Sequence, residues 1–195
     1  MRKFVIVIGI LAAMLGFAIV PVSAQAPTIA DIVIDQATNN GEFEILLAAV
    51  LAADPAIVAA LSDPTQDLTV FAPTDAAFEK LLGQLGLTAD QLLANTALLN
   101  DVLLYHVLPQ SCEARQLIRF ARAGWPRDYQ LTLQGTYVEL TLDGRALIVD
   151  SSWVSAANIF ASNGVVHVID TVLLPSFNFG EEGLPHIGFV SPRCP

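Results

Sequence analysis

The spacing of apolar residues changes along the chain, and this change limits the folds that the chain can adopt. Between residues 29 and 108 apolar side chains recur every three or four positions, as in amphipathic helices, except in the apolar run at residues 68–71, which predicts a buried strand. From Tyr129 the spacing is two, and Asp143-Gly144 is a hairpin signal between two such runs. Residues 165–169 predict one more apolar strand. Helices, one strand, more helices and then a run of strands indicate an α+β fold rather than alternating β-α-β units.

Turn and capping residues place the ends of the predicted helices. The first helix should stop at Asn39-Asn40-Gly41, and Pro55 suits the start of another helix. Gly86 should end the helix that follows the first strand. Thr88 opens a Thr-x-x-Gln capping box, and one more helix should begin near Thr96. The amino-terminal half is therefore predicted to be mostly helical.

The junction at Pro73 predicts a corner between a strand and a helix. Proline fixes its own φ and favours extended backbone at the residue before it, so the strand should end there. Thr74 or Asp75 can then accept hydrogen bonds from the first amides of the next helix. The predicted inner face of that helix consists of Phe78, Leu81, Leu82 and Leu85.

The first 24 residues have the form of a secretory signal peptide. Arg2 and Lys3 precede an apolar run of about 17 residues, near the minimum for a membrane span, and small residues up to Ala24 follow it. We expect cleavage after Ala24, with retention as a membrane anchor as the alternative. The prediction divides the chain into a signal peptide at 1–24, one domain at 25–175 and a proline-containing tail at 176–195, with no transmembrane segment in the mature chain.

The charge of the mature chain excludes one class of partner. Cleavage would leave 7 basic and 19 acidic residues, a formal charge of 7 − 19 = −12. A nucleic-acid partner is therefore disfavoured, because binding to nucleic acid needs lysine and arginine to displace phosphate counterions. The acidic chain suits a soluble extracellular protein that meets cationic partners.

The two cysteines are expected to pair, because the mature chain would enter an oxidising compartment. A bridge between Cys112 and Cys194 would close a loop of 82 residues and tie the tail to the domain. In the chain-entropy model such a bridge stabilises the fold by about 4 kcal/mol. Two free thiols are the alternative.

Three motifs resemble those of one protein family, and they lie in that family's order and spacing. Residues 69–78, TVFAPTDAAF, resemble the first signature block of fasciclin domains, and Tyr105-His106 resembles the family's Tyr-His pair. Residues 163–170, NGVVHVID, followed by VLLP at 172–175, resemble the second block. The resemblance covers residues 28–175. It implies a wedge of β-strands packed with several helices, in a family of secreted or surface proteins that take part in cell adhesion and matrix contact.

The resemblance also suggests roles for individual residues. It points to Tyr105 and His106 as candidates for an adhesive contact, although both also suit a structural role beside the strand-to-helix corner. Asp170 is a further adhesive candidate. Because it alternates with two valines, His167 is predicted to face solvent. The motif residues expected to be structural are Phe71, Pro73, Thr74, Asp75, Phe78, Asn163, Gly164 and His167.

An arginine-rich segment directly follows the Tyr-His pair and departs from the family pattern. Arg115, Arg119 and Arg122 have helical spacing that places them along one side of a helix, which we call the Arg face. One interpretation is a solvated face whose ion pairs balance the acidic body. The other is an anion site for a sulfated or carboxylated polysaccharide or a lipid head group, which guanidinium groups bind well. The segment is also placed to cover the Tyr-His pair.

No catalytic motif is present in the sequence. It contains no Gly-x-Ser-x-Gly, phosphate loop, dinucleotide-binding glycine pattern or His-Glu-x-x-His, and its histidines have no metal-ligand spacing. We therefore expect no enzyme, cofactor or metal, but a secreted module that binds an extracellular protein or polysaccharide at a cell surface or in a matrix. A secreted binder of an anionic polysaccharide, lipid or small ligand is the alternative, which a pocket would favour. An unrecognised hydrolase is the remote alternative.

Overall fold

The structure is a computed structural model, and it describes residues 26–124, 126–175 and 194. Seven helices and seven strands lie within these residues. In chain order they are α1 (Ile29–Asn39), α2 (Glu44–Ala52), α3 (Pro55–Ser62), β1 (Leu68–Pro73), α4 (Asp75–Leu85), α5 (Ala89–Ala94), α6 (Thr96–Tyr105), β2 (Val107–Leu108), α7 (Ala114–Ala123), β3 (Tyr129–Leu131), β4 (Tyr137–Asp143), β5 (Ala146–Val149), β6 (Ser152–Ala161) and β7 (Gly164–Ile169).

The helix ends follow the predicted signals. Pro55 is the first residue of α3, with Asp54 accepting a 2.8 Å hydrogen bond from the amide of Ala56. Thr88 forms the predicted capping box at the start of α5. Gly86 ends α4 in the left-handed region at φ 65°, where glycine is favoured. These ends are local, because each depends on groups only a few residues apart.

The strands form one mixed sheet in the order β2-β1-β7-β6-β5-β4-β3. β1 and β7 are parallel, and every other neighbouring pair is antiparallel. The predicted hairpin at Asp143-Gly144 joins β4 to β5, with Asp143 paired to Ala146. The α+β architecture, a wedge of strands packed with helices, is confirmed.

The long strand β6 was not predicted. Its register shifts twice, between Val154 and Ala156 and between Ala156 and Ile159, and Asn158 has a positive φ of 63°. Each bulge inserts an extra residue and reverses the face that follows. The apolar residues therefore do not alternate along the strand, and a search for a period of two does not find it.

Two hydrophobic clusters lie on opposite sides of the paired strands β1 and β7. One cluster joins α1–α6 to Val70 and Ala72 of β1 and to Val166 of β7. The other joins α7, β4 and β5 to Phe71 and Ile169. Both faces of β1 and β7 are therefore buried, and each apolar side chain removed from water contributes about 1.5–3 kcal/mol.

One predicted inner-face residue of α4 differs from the expectation. Phe78, Leu81 and Leu82 are buried, but Leu85 is 48% exposed. Leu85 is the last residue of the helix, so the helix layer covers it less than the preceding turns.

The predicted disulfide between Cys112 and Cys194 is present, with the two Cα atoms 5.4 Å apart. Cys112 is buried in the cluster of α7, β4 and β5, and the half-buried Cys194 packs against that cluster. The backbone amide of Cys194 donates a 3.1 Å hydrogen bond to the side-chain oxygen of Gln110. The bridge therefore fixes this point of the carboxyl-terminal region to the second cluster.

Two predicted segments lie outside the described residues. They are the signal peptide at 1–24 and the tail at 176–195 apart from Cys194. Within the described chain no single helix is long and apolar enough to cross a membrane. The pair α2 and α3 reaches that length only together, and it is bent by 119° at the break.

Candidate functional site

The strand-to-helix corner lies between α2 and α4, and its two polar residues cap different helices. Thr74 caps α4, as predicted, by accepting a 3.3 Å hydrogen bond from the amide of Ala77. The Asp75 carboxylate instead accepts from the amides of Glu44 and Ile45, at 3.0 and 2.9 Å. Those amides begin α2, whose own N-cap residue supplies no side-chain hydrogen bond. Asp75 therefore ties two helices together, which supports its assignment as a structural motif residue.

Asn163 and Gly164 connect the start of β7 to the first helices. The Asn163 side chain accepts a 2.9 Å hydrogen bond from the amide of Ile29 and donates at 2.9 Å to the carbonyl of Leu61. Gly164 has a φ of 147°, and a Cβ there would overlap the backbone of Leu68. The close pairing of β7 with β1 therefore requires glycine at this position.

His106 is buried, with 4% of its surface exposed, and both ring nitrogens are hydrogen-bonded. Nδ1 lies 2.7 Å from the carbonyl oxygen of Val102, and Nε2 lies 2.9 Å from the amide of Leu173. A carbonyl can only accept and an amide can only donate, so the ring must be neutral with its proton on Nδ1. Burial lowers the pKa of His106 to about 4, which agrees with a neutral ring.

Tyr105 is also buried, and its hydroxyl donates a 2.9 Å hydrogen bond to Asp150 in the β5–β6 turn. Asp150 has a φ of 53°, and its other oxygen accepts a 2.8 Å hydrogen bond from the amide of Glu139. Burial raises the pKa of Asp150, while burial and the nearby Asp150 carboxylate raise the pKa of Tyr105. Tyr105 therefore holds the β5–β6 turn, and His106 holds the segment that follows β7.

Asp170 and Trp153 lie between these two attachment points and are exposed. The Asp170 carboxylate accepts a 2.9 Å hydrogen bond from the amide of Trp153, and the amide of Asp170 donates to the carbonyl of Trp153 at 3.2 Å. The same carboxylate oxygen lies 3.2 Å from the hydroxyls of Ser152 and Thr171. The Trp153 ring is part of the surface, since the residue is 43% exposed. We call Asp170, Trp153 and Thr171 the Asp170 surface.

The prediction that His167 faces solvent is wrong. Its exposed fraction is 0%, and its ring stacks on Phe71 with the centroids 5.9 Å apart. Nε2 lies 2.9 Å from the carbonyl oxygen of Cys112, and Nδ1 accepts from the amide of Asn158 at 3.3 Å. The second cluster covers the face of β7 that alternation alone would leave to water. Because Nε2 faces a carbonyl and Nδ1 accepts from an amide, the His167 ring is neutral with its proton on Nε2. Burial lowers the pKa of His167.

The Arg face is exposed on α7, while Leu117 and Phe120 on the opposite side enter the second cluster. Arg115 pairs with Glu113 at 3.0 Å. Among the described residues, Arg119 and Arg122 have no carboxylate within ion-pairing distance. Tyr105 belongs to the cluster that α7 covers, so the arginine-rich segment helps to bury it.

The structure separates the predicted adhesive residues. Tyr105 and His106 are adjacent in the core, whereas Asp170 lies on the surface that they support. Sequence reasoning missed Trp153 and Asp150. Trp153 lies on the strand whose bulges hide its pattern, and no local signal links Asp150 to a tyrosine 45 residues away. Within the described residues there is no group of three or more side chains that could hold a metal ion.

Comparisons with known proteins agree on one family. The sequence model of the fasciclin domain matches residues 41–175. The chain is 33% identical to immunogenic protein MPB70 of Mycobacterium bovis over 140 residues, 71% of this chain and 66% of that protein. It is 37% identical to protein sll1483 of Synechocystis over 156 residues, 79% of each chain. It is also 36% identical to the transforming growth factor-beta-induced protein ig-h3 of Sus scrofa over 115 residues, 58% of this chain but 15% of that protein.

A solved structure shares the fold. It is a domain pair from the insect cell adhesion molecule Fasciclin I, matched with a TM-score of 0.59 and 14% identity over 77% of this chain and 52% of that chain.

Proposed function

Because the chain belongs to the fasciclin domain family, we propose that it is a secreted, non-catalytic module that attaches to an extracellular protein partner through the Asp170 surface. The family match covers residues 41–175, and the structurally similar insect protein is described as a cell adhesion molecule. The predicted signal peptide supports export.

The observation that carries the proposal is the pairing of an exposed indole with an exposed carboxylate on a rigid part of the sheet. Aromatic side chains dominate the binding energy of many protein interfaces, and an adjacent charge adds specificity. The Trp153 backbone and Asp170 are joined by two hydrogen bonds. The backbone that carries the Trp153 indole and the Asp170 carboxylate are therefore already positioned, which lowers the conformational entropy lost on binding. The acidic charge of the chain favours a partner with a basic surface.

Tyr105 and His106 have an indirect role in this proposal. Tyr105 holds Asp150, three residues before Trp153, and His106 holds Leu173, three residues after Asp170. Changing either residue would displace one edge of the Asp170 surface. A loss of adhesion in such variants would therefore reflect positioning rather than direct contact, since both side chains are buried.

The proposal is tested by measuring attachment of the labelled, secreted protein to the producing organism's own cells and matrix. Trp153→Ala and Asp170→Asn should each weaken attachment about tenfold or more, the loss expected for an interface anchor. Asn keeps the oxygen that accepts from the Trp153 amide, so that variant changes charge with little effect on the fold. Reversal of the Arg face to glutamate is the matched surface control and should leave attachment unchanged. Attachment that withstands both Trp153→Ala and Asp170→Asn would contradict the proposal.

Export has a separate test. The intact mass of protein collected from culture supernatant should correspond to a chain that begins at Gln25, because Val22 and Ala24 occupy the positions that signal peptidase reads. Recovery of the full-length chain in the membrane fraction would contradict cleavage.

The Arg face supports a second candidate function, the binding of an acidic polysaccharide. Arg119 and Arg122 are exposed on one side of α7 and, within the described chain, have no acidic partner. Guanidinium groups without a partner in an otherwise acidic protein suit sulfate or carboxylate groups. Attachment lost on reversal of the Arg face, but kept in Trp153→Ala, would favour this candidate over the first.

A further inference from the structure

A cleft of about 180 Å³ lies between α4, the β5–β6 turn and the segment that follows β7. Its polar lining comes from all three elements: Lys80 and Gln84 from α4, Ser151 from the turn, and Thr171 from the last segment. It adjoins the Asp170 surface at Thr171 but does not include Trp153. None of the adhesive or anion-binding candidates predicted from the sequence lines the cleft.

Apart from Asp150, the rest of the cleft lining is apolar. It is formed in part by Leu81, Val172 and Leu174, and the same three side chains line a second cavity of about 30 Å³. The surface of that second cavity is entirely apolar. Leu174 is 45% exposed where the two cavities meet. The cleft therefore combines polar and apolar lining residues, and it shares apolar ones with the cavity in the helix core.

Lys80 is the cation of the cleft, and its charge is not neutralised by an ion pair within the described residues. Its ammonium group donates a 3.0 Å hydrogen bond to the hydroxyl of Thr171, which in turn lies 3.2 Å from the Asp170 carboxylate. An ammonium has three donors, so the bond to Thr171 leaves two for a ligand.

The one carboxyl group in the cleft lining, that of Asp150, forms no ion pair with Lys80. One oxygen of Asp150 accepts from the Tyr105 hydroxyl and the other from the Glu139 amide. The Asp150 carboxylate is therefore oriented toward Tyr105 and Glu139, while the Lys80 ammonium keeps two hydrogen-bond donors for a ligand. This arrangement favours an anionic ligand group at Lys80.

We propose that the cleft binds a small carboxylic acid with an apolar body. The carboxylate pairs with Lys80 and Thr171, and the body packs against Leu81, Val172 and Leu174. A single lysine and an apolar wall suit a monoanionic amphiphile better than a sulfated polysaccharide, which needs several cations. The site shares Thr171 with the Asp170 surface but includes neither Trp153 nor Asp170, and it adds a ligand to a module proposed to act in adhesion.

The size of the cleft sets the size of the ligand and its affinity. An engineered protein cavity of about 150 Å³ accepts benzene, so a cleft of 180 Å³ holds a body of about six to ten non-hydrogen atoms. With the binding energy per atom that is usual for small ligands, a Kd of about 0.1–5 mM is expected. Octanoate has the charge and the size that the cleft requires, and 1-octanol is its uncharged counterpart.

The test is a titration of the secreted, ¹⁵N-labelled protein with sodium octanoate, followed by amide chemical shifts. Saturable shifts are expected at Lys80, Ser151 and Thr171. Lys80→Met keeps the aliphatic stem but removes the charge, and it should raise the Kd for octanoate at least fivefold. The same variant should bind 1-octanol as the wild type does. Arg119→Met, which removes an exposed cation from α7, is the matched control and should bind octanoate with an unchanged Kd.

Three results would overturn the proposal. The first is the absence of saturable shifts at these amides up to about 20 mM octanoate, a concentration above the expected Kd range. The second is an unchanged Kd for octanoate in Lys80→Met, and the third is a loss of octanoate binding in Arg119→Met. Trp153→Ala should retain the wild-type Kd for octanoate. The experiments can therefore contradict the ligand proposal while supporting the adhesion proposal, or contradict the adhesion proposal while supporting the ligand proposal.

Discussion

Acidification should destabilise this fold through His106, because its ring can make both of its hydrogen bonds only when neutral. Protonation would place a second N–H against the amide of Leu173. The pKa is 6.5 for an unperturbed histidine and about 4 in the fold, where burial lowers it. Between these values the unfolded chain binds more protons than the folded chain. The stabilisation is therefore complete above pH 6.5 and is lost as the pH falls toward 4.

The magnitude follows from the difference between the two pKa values. A shift of one pKa unit corresponds to about 1.4 kcal/mol, so the full loss is about 3 kcal/mol. Roughly 2 kcal/mol of it should appear between pH 7 and pH 5. This is a large fraction of the stability of a typical domain.

The assay is urea unfolding of the wild type and of His106→Gln at several pH values and constant ionic strength. His167 is present in both proteins, so its contribution cancels in the difference between them. The difference in unfolding free energy should shrink by about 2 kcal/mol from pH 7 to pH 5. A difference that stays constant over this range would refute the reasoning.

If His106→Gln does not fold, the protonation state of His106 can be measured directly in the wild type. Imidazole ¹⁵N shifts should show His106 neutral at pH 5, with its proton on Nδ1. The neutral form of His167 should be the opposite tautomer, with its proton on Nε2. A charged His106 ring at pH 5 in the folded protein would also refute the reasoning.

Three further outcomes are expected. Gly164→Ala should destabilise the fold by about 3 kcal/mol or more in urea unfolding, because the added Cβ would overlap the backbone of β1 at a residue with a positive φ. Gly83→Ala should instead stabilise the fold by about 0.5–1 kcal/mol, because Gly83 lies in an open position on α4. Similar effects of the two changes would contradict the argument from the close strand pairing. Replacing both Cys112 and Cys194 by serine should lower the Tm by roughly 10 °C in calorimetry while leaving the fold intact, because the lost bridge closes a loop of 82 residues. An unchanged Tm would contradict this prediction. Binding to an immobilised acidic polysaccharide should weaken as salt rises and disappear when the Arg face is changed to glutamate, because exposed charges are screened beyond about 8 Å at physiological ionic strength. Unchanged binding by a folded variant would leave the Arg face as a solvated surface.

Several parts of the fold were predictable because their causes are local. The capping box at Thr88, the restart at Pro55 and the stop at Gly86 each depend on groups within one helical turn. The helical spacing of Arg115, Arg119 and Arg122 predicted one side of a helix, and α7 carries all three on its exposed side. The pairing of the two cysteines followed from the expected compartment and was confirmed.

The candidate site was less predictable, because its parts are distant in sequence. Nothing near Tyr105 indicates that its hydroxyl will bind Asp150, and nothing near Asp75 indicates that it will cap a helix that begins 31 residues earlier. The family resemblance selected Tyr105 and His106, but it did not show that both are buried. Nor did it show that they contact the segments beside the Asp170 surface by hydrogen bonds to Asp150 and Leu173.

The sequence by itself determined the class of fold, the order of most elements and most helix ends, because these depend on short-range sterics and hydrogen bonds. The tertiary structure decided which faces of the helices and strands are exposed to water. Alternation in β7 assigns His167 to a face, but only the packing of the second cluster on that face decides that it is buried. The bulges of β6 likewise depend on its pairing with β7, and the same pairing brings Trp153 beside Asp170. Burial is a property of assembled layers, so no window of sequence specifies it.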